Sequence, residues 1–282
     1  MAERIQSFRD IAAQYDVVFC DVWGVLHNGV EAFSYATEAL AEARKAGLTV
    51  VLITNSPRPH PGVKVQIRGL GVTDDAYDRI VTSGDVTRAL IAEGPKKVYF
   101  IGAEKDLPLL DGLGVEPVGI DEAGIVVCAG LRSDETETVE DYRDELTALA
   151  QRKLPFICAN PDLVVERGHK LIPCAGALAK FYEELGCTTQ IAGKPHRPIY
   201  EKSLSEARDV RGAFDLGRVI AVGDGMPTDV RGAEAYGLDV LYISGGIHAQ
   251  HYVEAGRTDE AKLAAFLVQE NTHPKWWMPR LQ

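Results

Sequence analysis

Seven short runs rich in Val, Ile and Leu recur along the chain: VVFCDV, LTVVLITN, KKVYFIG, GIVVCAG, LPFICAN, RVIAVGD and DVLYIS. Between them lie longer segments with the apolar period of a helix. That alternation is the pattern of parallel strands joined by crossover helices, so the fold class is α/β with a parallel sheet. EAFSYATEALAEARKAG ends on Gly47, where a helix C-terminus favours glycine. TVEDYRDELTALAQRK carries its acids early and its bases late, as the helix dipole prefers.

A length of 282 residues is long for one hydrophobic core and comfortable for two lobes. With 46% hydrophobic and 25% charged residues the composition is that of ordinary globular domains, and disorder is not expected. A net charge of -11 argues against a nucleic-acid partner, because neutralising a phosphate backbone needs clustered Lys and Arg. No run approaches the roughly 18 apolar residues of a membrane span, and the charged start MAERIQSFRDIAAQ does not read as a secretory signal. A cytoplasmic location without a membrane partner is the expectation. Cys20, Cys128, Cys158, Cys174 and Cys187 are scattered without any C-x-x-C pair, which suits buried free thiols rather than a zinc site or disulfides.

Several strand-like runs end in polar residues: Asp21 after VVFC, Thr54 and Asn55 after VVLI, Asp224 after VIAVG. Ligands of open α/β sheets bind outside the carboxyl ends of the strands, so these ends are expected to meet in one crevice. Thr54 in LITNSPRP offers a hydroxyl and free backbone N–H groups to phosphate oxygens, though Thr-Asn-Ser before proline also makes a turn. In GDGMPTDV, Asp224 and Asp229 flank a glycine turn, and hard oxygen ligands on a turn suit Mg²⁺. Asp229 equally suits a helix cap, which is compatible with supporting the metal site. In AGKPHRP, Lys194 sits between Gly and Pro on a loop that opens the helix PIYEKSLSEARD, and supplies a cation beside the carboxylates.

These four segments, in this order, resemble the haloacid dehalogenase superfamily of phosphohydrolases. The resemblance implies a Rossmann-like core, with Asp21 as nucleophile, Thr54 as phosphate-binding hydroxyl, Lys194 as motif lysine, Asp224 as metal-binding acid and Asp229 supporting that metal. The insert containing ANPDLVVERGHKLIPCAGALAKFYEELG looks like the α/β cap of the class IIA branch, which includes bacterial nucleotide phosphatases and the nitrophenylphosphatase and pyridoxal phosphatase relatives. Its NPD turn matches Asn160, Pro161 and Asp162. Residues 1–84 and 190–282 would then form the core and 85–189 the cap. Asn55, Asn160 and Asp162 join Thr54 and Lys194 as expected phosphate or substrate contacts, and Arg58 in NSPRP could reach an anionic ligand from the core, although an exposed arginine is the default.

The resemblance implies a Mg²⁺-dependent phosphatase that forms an aspartyl-phosphate on Asp21. It also exposes a departure: the family has a second acid two residues after the nucleophile, to protonate the leaving alcohol, and this chain has Trp23. In the family the metal takes a backbone carbonyl from that position, which an indole would leave available. Metal and phosphate binding should survive while proton transfer suffers, and a positioned acid or base contributes about 10² to 10⁴ in rate. Substrates with good leaving groups, such as aryl or acyl phosphates, are therefore expected to be favoured. His27 is expected to be a turn histidine facing solvent, with proton transfer from it or from an ordered water as alternatives.

The substrate expected is a small phosphorylated metabolite, and the assembly a monomer or homodimer. A rival reading is a catalytically impaired protein that binds phosphate or a metabolite and keeps the Mg²⁺ site. Arg132, Arg167 and His169 are weaker candidates for substrate contact, and the small residues of CAGALAKFYEELG read as helix packing, without the G-x-G-x-x-G of a dinucleotide loop. The tail THPKWWMPRLQ is expected to fold back onto its own domain.

Overall fold

A computed structural model describes residues 2–167 and 170–282. The chain divides into two compact units, one built from Met1–Thr54, Lys64–Val81 and Tyr200–Gln282, the other from Asn55–Val63 and Thr82–Ile199.

All seven apolar runs form strands. In the first unit Val17–Cys20 is flanked by Thr49–Thr54 on one side and Val219–Gly223 on the other, and Asp239–Ile243 lies beyond the latter. These pairings are parallel, with Cys20 opposite both Val222 and Leu52. Val17 to Cys20, Thr49 to Thr54 and Val219 to Gly223 are buried along their whole length, because a parallel sheet covered by helices has no wet face. Chain order reverses about Val17–Cys20, so its carboxyl end is the sheet's topological switch point.

Both ends of the chain add strands to this sheet. Trp276–Met278 pairs parallel with Asp239–Ile243, and Glu3–Arg4 pairs with Trp276–Met278. Trp276, Trp277 and Met278 are buried, so the apolar tail folds back onto its own unit as expected, and does so as a strand.

The second unit has a parallel sheet in the order Thr189–Ile191, Phe156–Cys158, Ile125–Cys128, Lys97–Ile101, Glu116–Pro117. Val126 and Cys128 pack on one face with Leu146 and Tyr182, while Ile125 and Val127 pack on the other with Ile91. This two-sided burial makes IVVC an unbroken apolar run. Val164–Arg167 pairs antiparallel with Lys170–Pro173. Cys20, Cys128, Cys158 and Cys174 are buried free thiols, Cys187 is partly buried, and burial pushes Cys158 up to about 12, where thiolate chemistry is suppressed. Among the described residues no helix is long and apolar enough to cross a membrane.

Candidate active site

Register places two acids at the same edge of the first unit's sheet. Cys20 lies opposite Val222, and Asp21 N–H donates to the Val222 carbonyl at 2.8 Å, so Asp21 and Asp224 leave neighbouring strands one residue apart. Asp229 follows on the next turn. Carboxylate oxygens of Asp21, Asp224 and Asp229 lie within 4.8 Å of one another, and all three residues are buried. Like charges at that spacing repel by roughly 3 kcal/mol per pair at an effective dielectric near 20. Oxygen donors so gathered fit a hard divalent cation such as Mg²⁺.

The surroundings hold Asp224 tightly. Ile247 N–H donates to its Oδ2 at 2.8 Å. A Cβ built on Gly24 or on Gly246 falls closer than 3.0 Å to the Asp224 carboxylate, and Gly24 also has a φ of +88°, open to glycine and strained for other residues. Only backbone therefore lies against the acid on those two sides. Asp229 sits in a widened turn, where both its own N–H and that of Val230 donate to the Gly225 carbonyl, and its Oδ2 accepts from Gly225 N–H at 2.9 Å. Such turns inside helices recur at functional sites. The carboxylate ties back to the turn that carries Asp224, so it caps that turn and stays beside Asp224 at once.

Trp23 is half-buried, with its indole edge-on to His27 at 5.0 Å between ring centroids. His27 does not face solvent as expected. It is buried, and its Nδ1 accepts from Gly29 N–H at 3.0 Å while its carbonyl accepts from Gly24 N–H at 2.8 Å. The ring closes the loop on itself, a contact that a sequence-local turn reading does not reveal. Thr54 is the buried last residue of its strand.

The remaining predicted residues belong to the second unit. The Asn55 side chain is spent on structure: Oδ1 accepts from Lys194 N–H at 2.7 Å, and Nδ2 donates to the Lys194 carbonyl at 3.1 Å and to Asp162 Oδ1 at 2.9 Å. Asn160 Oδ1 accepts from Asp162 N–H at 3.1 Å, closing the NPD turn. Asn55, Asn160, Asp162 and the Lys194 backbone thus form one cluster, and Lys194 is buried. Asn55→Ala strands the Lys194 N–H, so a loss of about 1 to 3 kcal/mol is expected in denaturant unfolding. A loss under about 0.5 kcal/mol would mean the cluster is replaceable.

Arg58 is partly buried with its guanidinium 3.8 Å from Asp106, and burial pushes it below its ordinary value. Burial likewise raises Asp106, although Arg58 and Lys105 oppose that. Arg132 and Arg167 are already engaged, the first with Glu145 at 2.7 Å and the second with Asp134 at 2.5 Å. Both arginines are therefore held within the fold. His169 lies outside the described residues. Sequence reasoning missed Gly24, Gly246, Ile247 and His248, although SGGIH follows a predicted strand end and its glycine pair could have marked it.

Residues 18–116 match a family model described as haloacid dehalogenase-like hydrolase, and residues 191–269 match one described as HAD-hydrolase-like. The chain is 27% identical over 248 residues to the D-glycerol 3-phosphate phosphatase of Mycobacterium tuberculosis, spanning 86% of this chain and 66% of that enzyme. It is 24% identical over 271 residues to the 5'-nucleotidase YutF of Bacillus subtilis, spanning 94% and 98% respectively. A crystal structure of a haloacid dehalogenase-like hydrolase from Brucella suis 1330 superposes with a TM-score of 0.90 at 54% identity, covering 99% of this chain and 100% of that one.

Proposed function

This chain belongs to the haloacid dehalogenase-like hydrolase family, and from that premise we propose that it is a Mg²⁺-dependent phosphatase of small phosphomonoesters. The buried cluster of Asp21, Asp224 and Asp229 carries the reading. Relatives named as a glycerol 3-phosphate phosphatase and a 5'-nucleotidase support the substrate class.

Asp21, the Trp23 carbonyl and Asp224 would hold the ion, with Asp229 steadying the turn. When bound, Mg²⁺ offsets the charge that a phosphate dianion brings beside those carboxylates. The Thr54 hydroxyl and the Asn55 backbone N–H bind phosphate oxygens, and the Lys194 ammonium contributes a further positive charge. Asn160 and Asp162 act by fixing Asn55, and Arg58 serves an anionic part of the substrate. The insert, residues 85–189, would be the cap.

One Asp21 carboxylate oxygen attacks phosphorus, and its P–O bond forms as the ester P–O bond breaks and the alkoxide or phenoxide departs with the electron pair. Water then attacks phosphorus, the aspartyl P–O bond breaks, and inorganic phosphate leaves with the Asp21 carboxylate restored. The indole N–H of Trp23 is far too weak an acid to protonate the departing oxygen, so leaving groups that are stable as anions are favoured. Across a series of aryl and alkyl phosphates, kcat/KM should fall steeply as leaving-group pKa rises. Trp23→Asp should raise alkyl phosphate turnover by about 10² or more, within the usual reach of a positioned acid. A flat series for the unaltered protein would count against the idea.

Trp23 also favours a second reading, in which the site binds a phosphorylated metabolite and turns over little. Hydrolysis of p-nitrophenyl phosphate that requires Mg²⁺ and stops on chelation supports the phosphatase. Mg²⁺-dependent binding of a phosphate ester without product supports the second reading.

A further inference from the structure

Two consecutive residues of the loop after Asp239–Ile243 grip the Asp224 turn. Ile247 N–H donates to Asp224 Oδ2 at 2.8 Å, and His248 Nε2 accepts from Met226 N–H at 3.1 Å. Asp229 Oδ2 takes the intervening Gly225 N–H at 2.9 Å. Gly225 and Met226 stand where the first amides of a helix have no partner within it. Asp229 satisfies one and His248 the other. Met226 is fully buried, so without the imidazole its amide would have no ready access to water. An acceptor at Nε2 implies a proton on Nδ1, and the ring is steadied by Phe266 and His251, whose centroids lie 5.5 and 6.2 Å away.

We propose that His248 is a positioning residue for the metal-binding acid, holding the Met226 amide so that the Gly225–Met226 turn presents Asp224 and Asp229 in register with Asp21. The inference rests on the reading of Asp224 as a metal ligand. Mg²⁺ accepts only near-octahedral oxygen geometry, so a turn that rotates to find another partner for one amide degrades the site while leaving every carboxylate in place. Residues that support metal ligands commonly contribute about 10- to 100-fold in affinity. If His248 merely filled space beside Phe266, another ring would serve as well.

His248→Phe keeps a ring and removes the acceptor, whereas the side-chain carbonyl of His248→Gln can accept from the Met226 amide. The thermal midpoint of the intact chain is followed against Mg²⁺ alone, without substrate, and turnover of p-nitrophenyl phosphate is measured in parallel. His248→Phe is expected to raise the half-saturating Mg²⁺ concentration by about 10- to 100-fold, and His248→Gln to return it to within about threefold of the unaltered protein. At saturating Mg²⁺, KM should stay unchanged. Matching Mg²⁺ titrations for His248→Phe and the unaltered protein would overturn the proposal, and so would a Gln variant as weak as the Phe one. Should His248→Phe fail to fold, His248→Leu replaces it under the same criteria. Absence of any Mg²⁺ response in the unaltered protein brings down the metal reading first, before a variant is made, and this proposal falls with it.

Discussion

Asp21→Asn is expected to lower p-nitrophenyl phosphate hydrolysis by a factor on the order of 10⁴ or more with the fold intact, since removing a nucleophile commonly costs that much or more. The amide retains an oxygen near Asp224 and Asp229 but has no anionic oxygen to attack phosphorus. Asn is nearly isosteric with Asp, and the Asp21 backbone N–H still donates to Val222. The circular dichroism spectrum should therefore be retained, and in the absence of metal the thermal midpoint should rise, because the substitution relieves repulsion from Asp224 and Asp229. Steady-state rates beside those spectra make the check. A variant retaining a tenth of the activity would show that Asp21 is not the nucleophile.

Gly246→Ala should also be damaging, although alanine carries no chemistry. Its methyl group falls closer than 3.0 Å to the Asp224 carboxylate, so the acid must move away from Asp21 or the loop must retreat and take the Ile247 N–H with it. Overpacking of this kind costs about 1 to 3 kcal/mol in stability. Displacing a metal-binding carboxylate should weaken Mg²⁺ affinity by at least about 10- to 100-fold. Gly69→Ala is the matched control, because a Cβ there meets nothing within 4 Å in the His60–Leu70 helix. Calorimetric Mg²⁺ titration of both variants separates crowding from the general effect of an added methyl. Equal affinities would mean that Asp224 is not held by this cradle.

Gly24→Ala adds a second penalty, since it crowds the same carboxylate from the Trp23 loop at a φ of +88°. Gly212 shares the positive φ, at +85°, with open space around its Cβ, so Gly212→Ala isolates the backbone strain. Metal affinity should fall in Gly24→Ala and hold in Gly212→Ala. That contrast distinguishes a loop shaped for the acid from one that merely turns.

Much of the first unit was legible because parallel strands buried on both faces leave unbroken apolar runs, and each such run ends where the chain must turn. VVFC ending on Asp21 and VIAVG ending on Asp224 are readable from that rule alone. The short strands Glu3–Arg4 and Trp276–Met278 were not, since two or three residues carry no period and form only by pairing with neighbours far along the chain. His27 was misjudged for a related reason. A histidine before Asn-Gly reads locally as an exposed turn, yet it is buried against Trp23 and holds Gly29.

Asn55 illustrates a different limit. Its place beside Thr54 suggested a ligand contact, whereas its side chain is committed to Lys194 and Asp162, residues more than a hundred positions away. Which hydrogen-bonding groups are spent on the fold, and which are left for a ligand, depends on those distant partners.

Residue chemistry and strand periodicity in the sequence alone determined the α/β class and the acids at the strand ends. Only the tertiary structure decided that Asp21, Asp224 and Asp229 converge, that Gly24 and Gly246 close round Asp224, and that His248 reaches the Met226 amide. The reason is physical: periodicity reports which face of a segment is apolar, whereas convergence depends on strand register and loop path. Those are set by the packing of the whole sheet.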